Sequence, residues 1–136
     1  RQRQMCIRDR LRYDRQAENT KSIALWLSQQ DFIERVFYPG FNQEQNPDSD
    51  FGTVVMFNLK DKSRKIEGIV DKLELFQLSA SLGSTESLVA PALFFYGGDL
   101  SEAQRKKAGL DETSIRLSLG IEDCSDLIED LKKALQ

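Results

Sequence analysis

The chain has 136 residues, with 19 Lys or Arg against 22 Asp or Glu, a formal net charge of −3, 40% apolar and 30% charged residues. That balance excludes a disordered or fibrous chain and describes one globular domain burying about two thirds of its unfolded surface. No apolar run approaches the ~18 residues of a membrane helix and no secretory leader pattern is present, so a reducing cytoplasm is the expected location and no membrane partner is expected.

Residues 1–10, Arg1-Gln2-Arg3-Gln4-Met5-Cys6-Ile7-Arg8-Asp9-Arg10, hold four basic residues and neither a helical nor an alternating apolar period. A basic arm for nucleic acid is one reading. The string also resembles the translation of an adapter used in sequencing libraries, and on that resemblance residues 1–10 are set outside the fold. Residues 11–136 then carry 15 basic against 21 acidic groups, a balance that argues against a nucleic-acid partner. The protein is expected to extend upstream.

From Arg12 to Gln30, Ala17, Thr20, Ala24 and Leu27, with Tyr13, Ile23 and Trp26 beside them, recur at helical spacing, which predicts a long amphipathic helix. A strand over Phe32 to Tyr38 stops at Pro39-Gly40, and Asn42 to Asp50 reads as a surface loop. Phe51 to Leu59 suits a second strand, and Ile66, Ile69, Val70 and Leu73 predict a helix over Asp61 to Leu73. Short strands follow at Leu75 to Leu78 and Leu88 to Ala90, separated by the small, polar Ser79 to Ser87. Phe94-Phe95-Tyr96 reads as an aromatic loop between Pro91 and Gly97-Gly98. Ser101 and Gln104 have the spacing of a capping box, opening a brief helix that ends at Gly109. Ile115, Leu117 and Leu119 alternate with Arg116 and Ser118 in a strand over Ile115 to Gly120, one face core and the other carrying Arg116. A last helix spans about Asp123 to Leu135. Because strands and helices mix without a βαβ rhythm, the expected class is α+β, a mainly antiparallel sheet with helices on one face, preceded by a long helix.

Little in this pattern is catalytic. No histidine is present, which removes the commonest general base and metal ligand, and Cys6 and Cys124 are too few for a zinc site or a disulfide framework, so no metal is expected. The serine-rich turn Ser79 to Ser87 could hold an anion, although such a loop is more often only a loop. Arg116 is a surface residue or half an ion pair, or it presents its planar fork to a ligand carboxylate. Gly40, Gly52, Gly83 and Gly120 read as turn or close-approach glycines, not as a phosphate-binding fingerprint. Glu122-Asp123 favours the dipole of the last helix, and Cys124, with no predicted cation beside it, reads as a passive small residue.

Val36-Phe37-Tyr38-Pro39-Gly40, Phe51-Gly52, the run Leu75 to Leu88 with its Ser81-Leu82-Gly83, and Ile115-Arg116-Leu117-Ser118-Leu119-Gly120-Ile121-Glu122-Asp123 resemble, in order and spacing, the C-terminal domain of the Cys/Met-metabolism (trans-sulfuration) family of pyridoxal-phosphate enzymes. The resemblance covers Leu11 to Gln136. It implies the small C-terminal domain of a fold-type I enzyme, with the large cofactor domain missing upstream. It also implies that Ser81 and Arg116 bind the α-carboxylate of a small amino-acid substrate, and that the full-length enzyme is a homo-oligomer, a tetramer. Pyridoxal 5'-phosphate would be bound by the large domain; no catalytic residue is assigned here, since no lysine of this chain sits in the family's lysine motif. Holding the carboxylate fixes which bond at the substrate Cα is broken, through charge-assisted hydrogen bonds of about 1.5 to 3 kcal/mol each.

Ala80 stands where many members have glutamate, and Pro91 to Ser101 replaces a Met-Thr-His segment common in the lyases. The aromatic stretch before Asp99-Leu100 is similar to plant and cyanobacterial cystathionine γ-synthases, which implies γ-replacement on an activated homoserine. The alternatives are a cystathionine or methionine γ-lyase, a homoserine-ester sulfhydrylase, and a non-catalytic α+β binding module.

Overall fold

The computed structural model describes residues 2–41 and 51–136; the loop expected at 42–50 lies outside them. In chain order the elements are α1 (Gln2–Ser28), β1 (Ile33–Phe37), β2 (Val54–Leu59), α2 (Glu67–Val70), β3 (Gln77–Leu78), β4 (Leu88–Pro91), α3 (Ala92–Tyr96), α4 (Glu102–Ala108), β5 (Ile115–Ser118) and α5 (Cys124–Leu135). The five strands form one sheet in the order β1-β2-β5-β4-β3, antiparallel except for β3 and β4. The α+β class and the mainly antiparallel sheet are therefore as expected.

One face of the sheet holds the core. Val55 and Phe57 of β2, Val89 of β4 and Ile115 and Leu117 of β5 alternate onto it and are essentially fully buried. Against them pack Ile23, Ala24 and Leu27 from α1 and Leu127, Leu131, Ala134 and Leu135 from α5. Truncating one of the Leu or Ile side chains of this layer to Ala would cost about 2 to 5 kcal/mol, so the layer fixes where β5 sits.

Strands β2, β3 and β5 are two or three residues shorter than expected, and three further elements differ more from the sequence-based expectation. Helix α1 begins at Gln2, not Arg12, although residues 4–11 are all exposed, Met5 and Ile7 among them. Apolar periodicity marks buried faces, and this stretch has none; Arg and Gln are good helix formers, and Arg12 pairs with Asp9 and Arg10 with Asp14 along the exposed surface. The helix expected over residues 61–73 shrinks to Glu67–Val70. Here the Asp61 carboxylate accepts from both the backbone N–H and the hydroxyl of Ser63, a local turn that competes with helix. The aromatic segment is not a loop but the short helix α3, closed by the Gly97 N–H on the Leu93 carbonyl at 2.8 Å.

The capping box is present as expected: Gln104 N–H donates to Ser101 Oγ, Ser101 N–H donates to the Gln104 side chain, and Gly109 ends α4 in a left-handed conformation at φ 72°.

Candidate functional site

Strand β5 is the central strand of five, and its other face decides where the site lies. All four residues Ile115–Ser118 are buried, so the alternation expected to leave Arg116 on an open face instead describes a strand covered on both sides. The second cover is the connection between β3 and β4, residues 79–87. Parallel neighbours joined by so short a link cannot be bridged by a crossover helix; the link instead folds back across the end of β5.

Many bonds hold it there. Gly83 N–H donates to Ser118 Oγ at 3.1 Å, and Ile121 N–H donates to the Thr85 carbonyl at 3.0 Å. Glu122 accepts the backbone N–H and the hydroxyl of Ser87 at 2.7 and 2.8 Å. From α1, Gln16 donates to the Ser84 carbonyl at 2.6 Å, and Asn19 donates to the carbonyls of Gly120 and Glu122. At Gly120 an added Cβ would stand 2.3 Å from the Thr85 carbonyl oxygen, so only glycine lets the two segments approach this closely.

Ser81 and Arg116 meet under this link. Arg116 is 9% exposed, and its Nη2 donates to the Ser81 carbonyl at 2.5 Å and, more loosely, to the Ser79 carbonyl at 3.5 Å. It is the Ser81 backbone, not the hydroxyl, that touches the guanidinium. Arg116 Nε is buried without a hydrogen-bond partner, and Arg116 makes no ion pair among the described residues. A buried guanidinium whose hydrogen bonds go only to carbonyl oxygens is an incomplete arrangement, since a desolvated cation is ordinarily matched by an anion. Tyr96 supplies the third side: the Arg116 Cζ lies 4.9 Å from its ring centroid, and its hydroxyl donates to the Ala80 carbonyl at 2.8 Å.

Tyr96, Glu122, Gln16 and Asn19 were not visible as site residues in the sequence. Glu122 was expected to serve the dipole of α5; Asp123 is the residue that caps that helix, accepting from Ser125 N–H at 2.8 Å, while Glu122 reaches back to Ser87. The one available signal was Asn19, a polar residue four positions before Ile23 on the buried stripe of α1. Cys124 has Arg15 near it, contrary to expectation, yet burial holds its thiol above the ordinary value and it stays passive.

Among the described residues, no group of three His, Cys, Asp or Glu could hold a metal ion, and no helix is long and apolar enough to cross a membrane. Every lysine is exposed. Lys62 is pulled down by burial but pushed further up by its bonds to Asp111 and Glu34, the reverse of what an amine that forms a covalent link to a carbonyl cofactor requires. Lys62 therefore does not fit the attachment of such a cofactor.

The sequence matches the model of the Cys/Met metabolism PLP-dependent enzymes over residues 10–136. It is 33% identical over 131 residues to a cystathionine β-lyase of Coxiella burnetii and 30% identical over 132 residues to an L-methionine γ-lyase of Fusobacterium nucleatum, covering 92% and 93% of this chain. The chain spans about a third of those relatives, 34% and 33% of their lengths. Among solved structures, a cystathionine γ-synthase from Xanthomonas oryzae in complex with cystathionine is similar with a TM-score of 0.80 at 30% identity, over 92% of this chain and 34% of that one. A cystathionine γ-lyase from Micromonospora echinospora gives 0.80 at 33% identity, with the same shares covered.

Proposed function

This chain belongs to the Cys/Met metabolism PLP-dependent enzyme family, and from that premise we propose that it is the C-terminal substrate-carboxylate-binding domain, residues 11–136, of an enzyme acting on sulfur amino acids or activated homoserine. Arg116 and the Ser81 turn receive the α-carboxylate. The observation that carries this reading is Arg116 itself, nine-tenths buried, with Nε unpartnered and no carboxylate of the described chain paired with it. An α-carboxylate is the anion that would complete it, and a planar two-point contact fixes the orientation of the substrate Cα as a single point charge cannot.

When bound, the family's pyridoxal phosphate supplies an electron sink for charge at Cα. The lysine that carries it belongs to the upstream large domain, and the whole enzyme is a cytoplasmic homotetramer with no nucleic-acid or membrane partner. The reaction is γ-replacement of the cystathionine γ-synthase kind. The curated relatives support a second reading, elimination, because they carry the names of cystathionine and methionine lyases.

Two experiments test the reading. In the full-length enzyme, Arg116→Lys should raise KM for the amino-acid substrate at least tenfold while cofactor absorbance is retained; unchanged substrate kinetics would remove Arg116 from the site. Purified residues 11–136 should bind no pyridoxal phosphate, show no imine absorbance and turn over neither a homoserine ester nor cystathionine. A stoichiometric imine band would place the cofactor lysine within this chain and overturn the domain assignment.

A further inference from the structure

We infer that Tyr96 is a positioning residue for substrate recognition: it sets the plane of the Arg116 guanidinium and ties it to the turn that shapes the carboxylate subsite. The inference rests on the carboxylate role proposed for Arg116 and goes beyond it to a residue outside the strand and turn.

Three observations converge on Tyr96. Its ring lies under the guanidinium, with the Cζ 4.9 Å from the ring centroid, so the cation meets the π system on that side. Its hydroxyl donates to the Ala80 carbonyl at 2.8 Å, between Ser79 and Ser81, whose carbonyls accept from Arg116 Nη2. The ring and the turn therefore hold the same guanidinium from two directions. Finally, the Nε left buried and unpartnered belongs to this restrained fork, so the geometry in which a carboxylate meets it depends on where Tyr96 holds the plane.

The chemistry of the contact explains why an aromatic ring is used. A π face attracts the cation without offering an acceptor lone pair, so it orients the guanidinium and leaves the in-plane N–H donors to other partners. A carboxylate at this position would pair with the arginine and compete with the substrate. An aliphatic side chain would leave the fork held only through Nη2 by the Ser79 and Ser81 carbonyls, and any added freedom of its plane costs a two-point contact more than a one-point contact. Tyr96 is 40% exposed and lies on the five-residue α3, away from the core cluster, so its replacement does not remove a packed core side chain.

The test uses the full-length enzyme with three variants: Tyr96→Leu, Tyr96→Phe and Arg116→Lys. Steady-state kinetics are measured for the amino-acid substrate, together with the inhibition constants of L-norvaline and L-norvalinamide, which differ only in carboxylate against amide. Tyr96→Leu should raise KM about threefold to thirtyfold, the span of cation–π contributions between exposed and desolvated sites, with kcat changed less than twofold and the preference for norvaline over norvalinamide reduced by a similar factor. Tyr96→Phe keeps the ring and should retain most of the wild-type preference. An unchanged KM and preference in Tyr96→Leu, a loss confined to kcat, or Phe behaving no better than Leu each overturns the role of Tyr96. Arg116→Lys separates the two inferences: if it leaves KM unchanged, the carboxylate reading fails, whereas if it raises KM while the Tyr96 variants do not, only the Tyr96 inference fails. Should Tyr96→Leu not fold, Tyr96→Met is judged by the same criteria.

Discussion

Glu122 takes both the backbone N–H and the hydroxyl of Ser87, at 2.7 and 2.8 Å, although the two residues are 35 positions apart. Ser87 is fully buried, and its hydroxyl oxygen also accepts from Gly120 N–H at 2.9 Å. The carboxylate thus closes the link between β3 and β4 onto the exit of β5, on the strand that carries Arg116. Glu122→Ala leaves a buried N–H without its partner and should cost about 2 to 3 kcal/mol, read as a lower urea midpoint at unchanged slope. A midpoint within error of wild type would mean that water replaces the carboxylate there.

Asp130, 5% exposed on α5, accepts the backbone N–H groups of Glu74 and Leu75, just before β3. Asp130→Ala should destabilise by about 2 to 4 kcal/mol by stranding two donors. Amide hydrogen exchange at Glu74 and Leu75 should accelerate more than at Val55 or Leu117, which lie in the ladder.

Gly120→Ala should be among the least tolerated glycine substitutions, because its Cβ would meet the Thr85 carbonyl at 2.3 Å, a backbone atom that cannot rotate away. At Gly83 the space is open and only the φ of 76° resists a side chain, so Gly83→Ala should cost about 1 to 2 kcal/mol. Thermal melting of the two variants checks the order: a larger loss at Gly83 would contradict it.

Lys62 lies between Asp111, at 2.7 Å, and Glu34, joining the loop after β2 to the turn before β5. For Asp111, burial raises the carboxyl, but bonds from Lys62 and Thr113 outweigh it and hold it below the ordinary value. A depressed folded pKa contributes stability above the unfolded value near 3.8, and loses it as pH falls through the folded value. Lys62 is held above its ordinary 10.5, so its share is present below that pH and fades as pH rises through the higher folded value. Asp111→Asn should therefore lower stability at pH 6 to 9 and flatten the acid limb of a plot of unfolding free energy against pH. A parallel offset with the acid slope intact would show that Asp111 is not the titrating group.

Deleting residues 1–10 should leave the melting temperature within about 2 °C of the parent, because residues 4–10 are exposed and their ion pairs lie on the surface. A larger fall would contradict the reading of that stretch as foreign to the domain.

The apolar periods of α1 and α5, the turn at Pro39-Gly40, the capping box at Ser101 and Gln104 and the run around Arg116 were all legible in sequence, because each is a local matter of spacing and turn chemistry. The sequence also carries the ordered blocks that resemble the family. Tertiary structure alone decided that β5 is central and covered on both faces, which makes Arg116 a buried cation where alternation implied an open one. It decided, too, that Tyr96 comes to Arg116 and Glu122 to Ser87. Periodicity reports which side chains share one face of one element; it holds no information on which distant segment folds over that face. That choice was made here by the short parallel link between β3 and β4, whose backbone donors and acceptors had to be satisfied once buried, and whose partners lie at Gln16, Ser118 and Glu122.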